Sequence, residues 1–411
     1  MIIRAYKPET DFPAVQRLWE EIAWIKRNEK DQAQILETFL RQSTNLVAEL
    51  NGEAECLVST CDGSIKHLET TLPMQIVAAV TTSLVARKQG LASRTTAKAI
   101  ADGAEKGLPV SALGMFEQGY YTRLGFGNGP YEQKVRFNPA LLDVDADFPV
   151  PVRLSEVDFK EMHEAMMQRW RSHGSVQVIP ADHFHAELHW TEEPVGLGFR
   201  NDQGELTHFL WGHNKGEYGP LRISALAYRN RQQLLQLLAL IKSLGNQLYV
   251  VRLIETQHMQ MQDLLKEPFR SINKTEGNTY AEYIRSEAWW QLRINDLAAC
   301  LQATRLPARP TLSFNLKVED PISQYLDDGH GWQGIAGDYT VHLGEECEAN
   351  PGHRSGLPLL HANASGISRL WMGCASANRL ATSGEISAEQ SLLDALDTTL
   401  SLPKPHPGWE F

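Results

Sequence analysis

The sequence has no apolar run that approaches the roughly 20 residues needed to cross a bilayer. Its first residues, MIIRAYKPETDF, lack the basic segment and long apolar stretch of a secretory signal. Only 5 of the 411 residues are cysteine, and none lies in CxxC spacing, which argues against a disulfide framework and a zinc ribbon. We therefore expect a cytoplasmic protein with no membrane partner.

An excess of positive charge is also missing. The 50 acidic residues outnumber the 39 Lys and Arg residues, which gives a formal net charge of −11. Because nucleic acids are bound through clustered cations, no nucleic-acid partner is expected, whereas a cationic ligand is compatible with this balance. The length exceeds that of one ordinary core and predicts two or three domains.

Strand-like and helix-like segments alternate through the first two thirds of the chain. QIVAAVTTSLV and LPVSALG are typical of strands and flank a helical segment. This unit, from Gln75 to Leu113, recurs in pattern from Leu221 to Leu253. Such units predict mixed α/β sheets flanked by helices, followed by a smaller α+β part. Turn-rich boundaries divide the chain into predicted domains at 1–148, 149–286 and 287–411.

The segment ARKQGLA, residues 86–92, lies between a predicted strand and a predicted helix. Small residues at such a turn expose backbone N–H groups at a helix N-terminus, where a phosphate is favoured. Gly90 allows close approach of the backbone, and Arg87 and Lys88 add positive charge. On spacing alone, an ordinary turn between a strand and a helix explains the segment equally well.

The same R-x-x-G-x-A pattern resembles the acetyl-CoA pyrophosphate loop of the GNAT N-acetyltransferases. The resemblance implies backbone contacts with the pantetheine arm near Val80 and Thr82. It also implies that the pyrophosphate is bound by Arg87, Lys88, Gln89, Gly90, Leu91 and Ala92. The matching turn of the second unit, YRNRQQLLQ, has no glycine, so we expect the middle domain to keep the fold without the cofactor.

The segment FEQGYYTRLGFG is similar to a signature of the enhanced intracellular survival proteins, which are multi-acetylating aminoglycoside N-acetyltransferases. That family implies an active GNAT domain, a degenerate one, and a sterol-carrier-protein-like C-terminal domain, often assembled as a hexamer. Thr122 and Phe116 depart from the usual residues. Phe116, Tyr120 and Arg123 are expected beside the acetyl-CoA arm.

The resemblance assigns the general acid to Tyr121 and the general base to the terminal carboxylate of Phe411. The segment HPGWEF, unusually apolar for a chain end, would then carry this carboxylate into the active site with Trp409 and Phe411 as anchors. The implied reaction is direct acetyl transfer from acetyl-CoA to a primary amine, without a metal. Without the resemblance, Tyr121 would more simply be a packed aromatic residue.

A cationic aminoglycoside or polyamine-like acceptor suits acids that stand beside aromatic faces. The candidates are Trp19, Glu21 and Trp24 of the predicted first helix RLWEEIAWI, together with Glu410. A solvated helix face with core tryptophans is the alternative for each residue.

Two other acceptor or ligand classes remain open from the sequence. The acceptor could be a protein or peptide lysine, or the C-terminal domain could make the protein a lipid or sterol carrier. His183, His185 and His189 offer a helical i, i+4 pair without an evident third metal ligand, so packing or surface roles are favoured for them.

Overall fold

The computed structural model describes residues 2–27, 29–327 and 329–411. Helices in these ranges are α1 (Pro8–Glu21), α2 (Lys30–Arg41), α3 (Leu91–Glu105), α4 (Gln118–Thr122), α5 (Phe159–Met167), α6 (Ala181–His189), α7 (Arg231–Ser243), α8 (Pro268–Thr275), α9 (Leu297–Gln302), α10 (Ala364–Trp371), α11 (Ala377–Thr382) and α12 (Gln390–Thr399). None of the helices so described is long and apolar enough to cross a membrane.

The first sheet joins strands from distant parts of the chain. Its order is β1 (Ile2–Ala5), β2 (Thr44–Leu50), β3 (Glu53–His67), β4 (Thr70–Thr82), β5 (Val110–Gly114), β15 (Trp290–Ile294) and β6 (Gly127–Asn128). A further strand, β9 (Val176–Val178), pairs with β3. Most neighbours are antiparallel, but β4 and β5 run parallel, so the sheet is mixed as predicted.

The second sheet has the order β14 (Tyr283–Glu287), β7 (Glu132–Phe137), β13 (Val251–Ile254), β12 (Leu221–Ala227), β11 (Leu206–Asn214), β10 (Pro194–Arg200) and β8 (Val152–Leu154). A separate sheet has the order β18 (Glu348–Pro351), β17 (Gly337–Leu343), β16 (Leu312–Glu319), β19 (Leu359–Asn363) and β20 (Ile386–Ser387). With α9 to α12, these last strands form the α+β part expected at the C-terminal end.

The internal repeat predicted from sequence is confirmed. In the first copy, α3 connects the parallel strands β4 and β5, which pair from Met74↔Val110 to Ile76↔Ala112. In the second copy, α7 connects the parallel strands β12 and β13, which pair at Leu221↔Val251 and Arg222↔Arg252. The molecule therefore contains two tandem units of one design.

Sheet membership does not follow the order of the chain. Strand β7 precedes residue 148 but belongs to the second sheet, where it pairs with β13 and β14. Strand β15 follows residue 286 but lies between β5 and β6 of the first sheet. Hydrogen-bonded sheets therefore cross both predicted boundaries. The domains 1–148, 149–286 and 287–411 stay predictions.

One local expectation differs from the structure. Helix α1 ends at Glu21, and Ala23 has a φ of +60°, so Trp24 lies beyond the helix in which it was predicted. In the C-terminal part, Asn363 caps the helix α10 by accepting from the Gly366 N–H. A side-chain acceptor at this position explains the start of that helix.

Candidate active site

One edge of β4 is open where the predicted cofactor arm would lie. After Ile76, β4 has no partner strand on its β5 side in the described ranges, although its other edge continues to pair with β3 as far as Thr82. Val80 and Thr82, both predicted to contact the arm, lie in this part and are partly exposed. Unpaired backbone groups along an open strand edge are available to a polar ligand.

The predicted phosphate loop has the geometry of an open helix N-terminus. Lys88 and Gly90 have φ values of +63° and +80°, and Gly90 occupies the N-cap position of α3 without a side-chain cap. The first amides of α3 therefore keep free donors, which favour an anion. Arg87, Lys88 and Gln89 are exposed around them, Leu91 is buried, and Ala92 is half-buried.

In the second copy, the helix start that corresponds to the phosphate loop is capped by a side chain of the protein. Asn230 is the N-cap residue of α7, and its side-chain oxygen accepts from the Gln233 N–H at 3.0 Å. Its φ is −156°, so the backbone does not form the left-handed turn seen at Gly90. The two helix starts differ as the absence of glycine from YRNRQQLLQ predicts.

The remaining residues predicted to contact the cofactor follow β5 and differ in their exposure to solvent. Phe116 is 94% exposed, and Arg123 is also exposed, with its guanidinium 5.9 Å from the Tyr120 ring centre. The Tyr120 hydroxyl is buried and has no hydrogen-bond partner among the described residues. It is therefore a polar group available to a ligand that reaches it.

Tyr121 is held rigidly in α4. Its side chain is buried and packs against Tyr120 and Phe126, at ring distances of 4.8 Å and 6.1 Å. The Glu117 side chain caps α4 by accepting from the Gly119 and Tyr120 N–H groups. Burial, followed by the nearby Tyr120 and Glu117, raises the pKa of Tyr121, so its phenol stays protonated near neutral pH.

The C-terminal tail runs across the middle part of the molecule and is bound by buried donors. The Pro407 carbonyl accepts from the Val176 N–H and from the Arg169 guanidinium, each at 2.9 Å. The ring of Trp409 is only 6% exposed, and Arg169 lies over it at 5.2 Å from its centre. The prediction that Trp409 would be an anchoring side chain agrees with this burial.

The tail ends against the last residue of β5. A Cβ atom built on Gly114 would lie only 2.5 Å from the main-chain oxygen of Phe411, so the terminal carboxylate approaches the strand closely because Gly114 has no side chain. The Phe411 ring packs edge-on against Trp289 with centroids 5.6 Å apart. Phe411 thus lies beside β5, the strand that leads to α4 and Tyr121.

A cavity of about 350 Å³ opens beside Phe411. Its floor is apolar and comes from β3, β4 and β9, through Cys61, Ile76, Ala78 and Val178. Its walls are mainly aromatic and include Trp19, Trp24, Phe39, Phe184, Trp190 and Trp409. The lining residues come from three parts of the chain, residues 19–78, 178–190 and 409–411, so the cavity depends on their packing together.

Two glutamates share this cavity with the chain end. Glu410, which was predicted, and Glu187, which was not, both line it. Although the Glu187 side chain is exposed, the surrounding protein, together with the nearby Glu410, raises the pKa of its carboxyl group. Restricted hydration also raises the pKa of Glu410, although Arg222 at 3.9 Å opposes this. Both groups would be stabilised as carboxylates by a cation.

The predicted acceptor residues do not all meet. Trp19, Trp24 and Glu410 line the cavity, but Glu21 is not among its lining residues. The Glu21 carboxylate instead accepts from the Leu84 N–H at 3.0 Å, just after β4. It therefore stabilises the approach to the phosphate loop.

The three histidines of DHFHAELHW each contact a different residue. His183 lines the cavity and contacts the Ser43 hydroxyl at 2.9 Å. His185 stacks on Phe159 at 4.1 Å, and His189 lies 2.8 Å from Glu156. The i, i+4 pair thus has packing and surface contacts, as favoured from the sequence.

The chain contains an acetyltransferase domain. Residues 3–129 match the family described as the acetyltransferase (GNAT) domain, and this range holds the open strand β4, the phosphate loop and Tyr121. The match shows that the protein is an enzyme with a GNAT acetyltransferase domain.

Similar proteins share the full length of the fold. An uncharacterized N-acetyltransferase of Streptomyces avermitilis is 23% identical over 368 residues, which are 81% of this chain and 80% of that protein. A probable N-acyltransferase of Enterococcus faecalis has 16% identity and a TM-score of 0.79, covering 100% and 99% of the two chains. Eis1 of Mycobacterium abscessus has 14% identity, a TM-score of 0.77 and complete coverage of both chains.

Proposed function

We propose that this protein transfers the acetyl group of acetyl-CoA directly to a primary amine of a cationic small molecule, an aminoglycoside or a polyamine-like compound. The observation that carries this proposal is the cavity that joins the terminal carboxylate, two glutamates and a set of aromatic rings beside the open edge of β4. The tandem architecture and the match to Eis1 over both whole chains support a relationship with the enhanced intracellular survival proteins.

The donor is acetyl-CoA in this proposal, and the residues present fit it. The uncapped start of α3 suits the pyrophosphate, the unpaired edge of β4 suits the amide groups of the pantetheine arm, and the unpartnered Tyr120 hydroxyl offers another polar contact. In the second copy, the Asn230 cap already satisfies a helix amide, which supports a purely structural role there.

We assign the proton movements to Phe411, which lines the cavity, and to Tyr121, which is not among the lining residues but follows β5 in α4. The amine nitrogen forms a bond to the acetyl carbon while the carbon–sulfur bond of the donor breaks. The Phe411 carboxylate accepts a proton from the amine, and Tyr121, whose burial keeps it protonated, donates a proton to the leaving sulfur. Open backbone N–H groups of β4 stabilise charge on the acetyl oxygen.

The direct test measures CoA release from acetyl-CoA with an aminoglycoside, a polyamine and a lysine-containing peptide as acceptors. Turnover of a small amine with little turnover of the peptide is the expected result. Preference for the peptide would favour the protein-lysine alternative. Absence of turnover together with extraction of a labelled lipid would favour a carrier function and contradict the proposal.

Replacing Gly90 by Ala is expected to raise KM for acetyl-CoA about 10-fold, which corresponds to roughly 1.4 kcal/mol. No described atom lies within 4 Å of the added Cβ, so the effect arises from the left-handed backbone and from closeness to the phosphates. Gly52→Ala is the matched control, since Gly52 has a φ of +87° and equally open surroundings in the β2–β3 turn. Similar KM changes in both variants would contradict a phosphate role for Gly90.

We also propose a reducing compartment and a homo-oligomeric state for this enzyme. The first is supported by five buried cysteines that are all free. The second extends the family resemblance, and sedimentation of the purified protein tests it.

A further inference from the structure

The carboxylate of Glu187 has no partner although it lies in a mostly apolar cavity. No hydrogen bond or ion pair to it is formed within residues 2–27, 29–327 and 329–411, whereas Glu410 has Arg222 at 3.9 Å. Glu187 extends from α6, between the buried residues Ala186 and Leu188. The Glu187 side chain itself is exposed and lines the cavity. An unpaired acid in such a place is stabilised when a cation binds beside it.

Apart from the acids, the polar groups of the lining side chains are the His183 ring and indole N–H groups, of which those of Trp19 and Trp190 have no partner among the described residues. The apolar floor and the aromatic walls surround three acidic groups, namely Glu187, Glu410 and the chain end. A ligand rich in hydroxyl groups would lose water there without gaining equivalent hydrogen bonds. Methylene groups suit these walls, since their burial releases water from apolar surface, and ammonium groups suit both the carboxylates and the indole faces.

We infer that the acceptor is an aliphatic di- or polyamine whose reacting amino group lies at the Phe411 carboxylate while its second ammonium group binds Glu187. This inference rests on the proposed acetyltransferase function and specifies its acceptor. Glu187 takes no part in bond making; it selects acceptors by a second positive charge.

The aromatic arrangement supports a slender, cationic ligand. Trp19 packs edge-on against Trp24 with ring centroids 5.0 Å apart, and it lies 5.6 Å from both Phe39 and Trp190. The rings thus fix one another and form a preorganised wall. Trp24 is 45% exposed and leaves indole surface available to an ammonium group or a methylene chain.

The test compares α,ω-diamines of four to eight carbons with monoamines of the same chain length, using CoA release at fixed acetyl-CoA. For the native enzyme, kcat/KM is expected to be at least 10-fold higher for the best diamine than for its matched monoamine. In Glu187→Gln, which keeps the side-chain shape, kcat/KM for that diamine should fall at least 10-fold through a higher KM. The value for the monoamine should change less than twofold.

Glu192→Gln is the matched control, because Glu192 follows α6 and its side chain is 74% exposed in a pair with Lys26. It should leave both acceptor classes unchanged. The comparison within the native enzyme does not depend on the folding of any variant. Equal kcat/KM for diamines and monoamines would overturn the inference while leaving the acetyltransferase function intact.

Two further outcomes would also overturn the inference. An aminoglycoside turned over with a higher kcat/KM than every diamine would show that hydroxyl-rich bodies suit the cavity. Lack of turnover with all amines would reject the proposed function and, with it, the diamine acceptor. A diamine-specific loss in Glu187→Gln, absent in Glu192→Gln, is the supporting result.

Discussion

Addition of two glycines after Phe411 is expected to lower kcat by about 100-fold to 1,000-fold, within the range that general acid–base groups contribute. The extension keeps every side chain but moves the terminal carboxylate away from Gly114, where the main-chain oxygen of Phe411 now lies. Binding of acetyl-CoA should be unchanged, because the phosphate loop lies on another part of the first copy. Steady-state CoA release and a separate acetyl-CoA titration measure the two properties.

A second variant tests the same position from the opposite side. Gly114→Ala would bring a Cβ to 2.5 Å from the Phe411 oxygen, so one of the two groups must shift, and kcat should fall as in the extended chain. Phe411→Leu is the control that keeps a terminal carboxylate while changing the ring. Native turnover in the glycine-extended protein would show that the chain end is not the base.

Replacing Arg293 by Met is expected to lower the free energy of unfolding by about 3–5 kcal/mol, the range for removing one partner of a buried ion pair. Arg293 and Asp320 both have fully buried side chains, and their closest atoms are 2.7 Å apart. Arg293 also donates to the Leu124 carbonyl, close to Tyr121. Denaturant unfolding followed by circular dichroism should show a clearly lower midpoint.

The loss arises mainly from the carboxylate that remains buried without its cation. Asp320 still accepts from the Ile322 and Ile335 N–H groups, at 3.2 Å and 2.9 Å, so Arg293→Met combined with Asp320→Asn should recover part of the stability. Arg305→Met removes an exposed pair with Glu346 and should barely move the midpoint. Equal midpoints for the Arg293 and Arg305 variants would contradict this role of the buried pair.

The features predicted well from sequence are those with a local physical signal. The glycine of ARKQGLA indicates a left-handed turn before a helix, and Gly90 has that conformation. The alternation of strand and helix patterns predicts the two repeated units. Trp409 near the chain end predicts burial, because removing an indole ring from water is favourable. The ring is buried.

Contacts between residues that are distant in the sequence left no comparable pattern in it. Glu187 stands in a segment dominated by three histidines, and a single acid on a helix usually faces solvent. Only the folded chain brings α6 to the end of the tail and makes this acid part of the cavity. Glu21, in contrast, is predicted beside Trp19 and Trp24 by the helical pattern, but its carboxylate accepts from the Leu84 N–H and does not line the cavity.

The crossing of β7 and β15 between sheets has a consequence for how this enzyme can be divided. A fragment that stops near residue 148 would include the matched acetyltransferase range yet lack β15, leaving unpaired edges on β5 and β6. It would also carry β7 without β13 and β14. Exposed edges of this kind favour aggregation. Truncation near residue 148 breaks both crossings, so we expect such a fragment to aggregate rather than to fold as a catalytic unit.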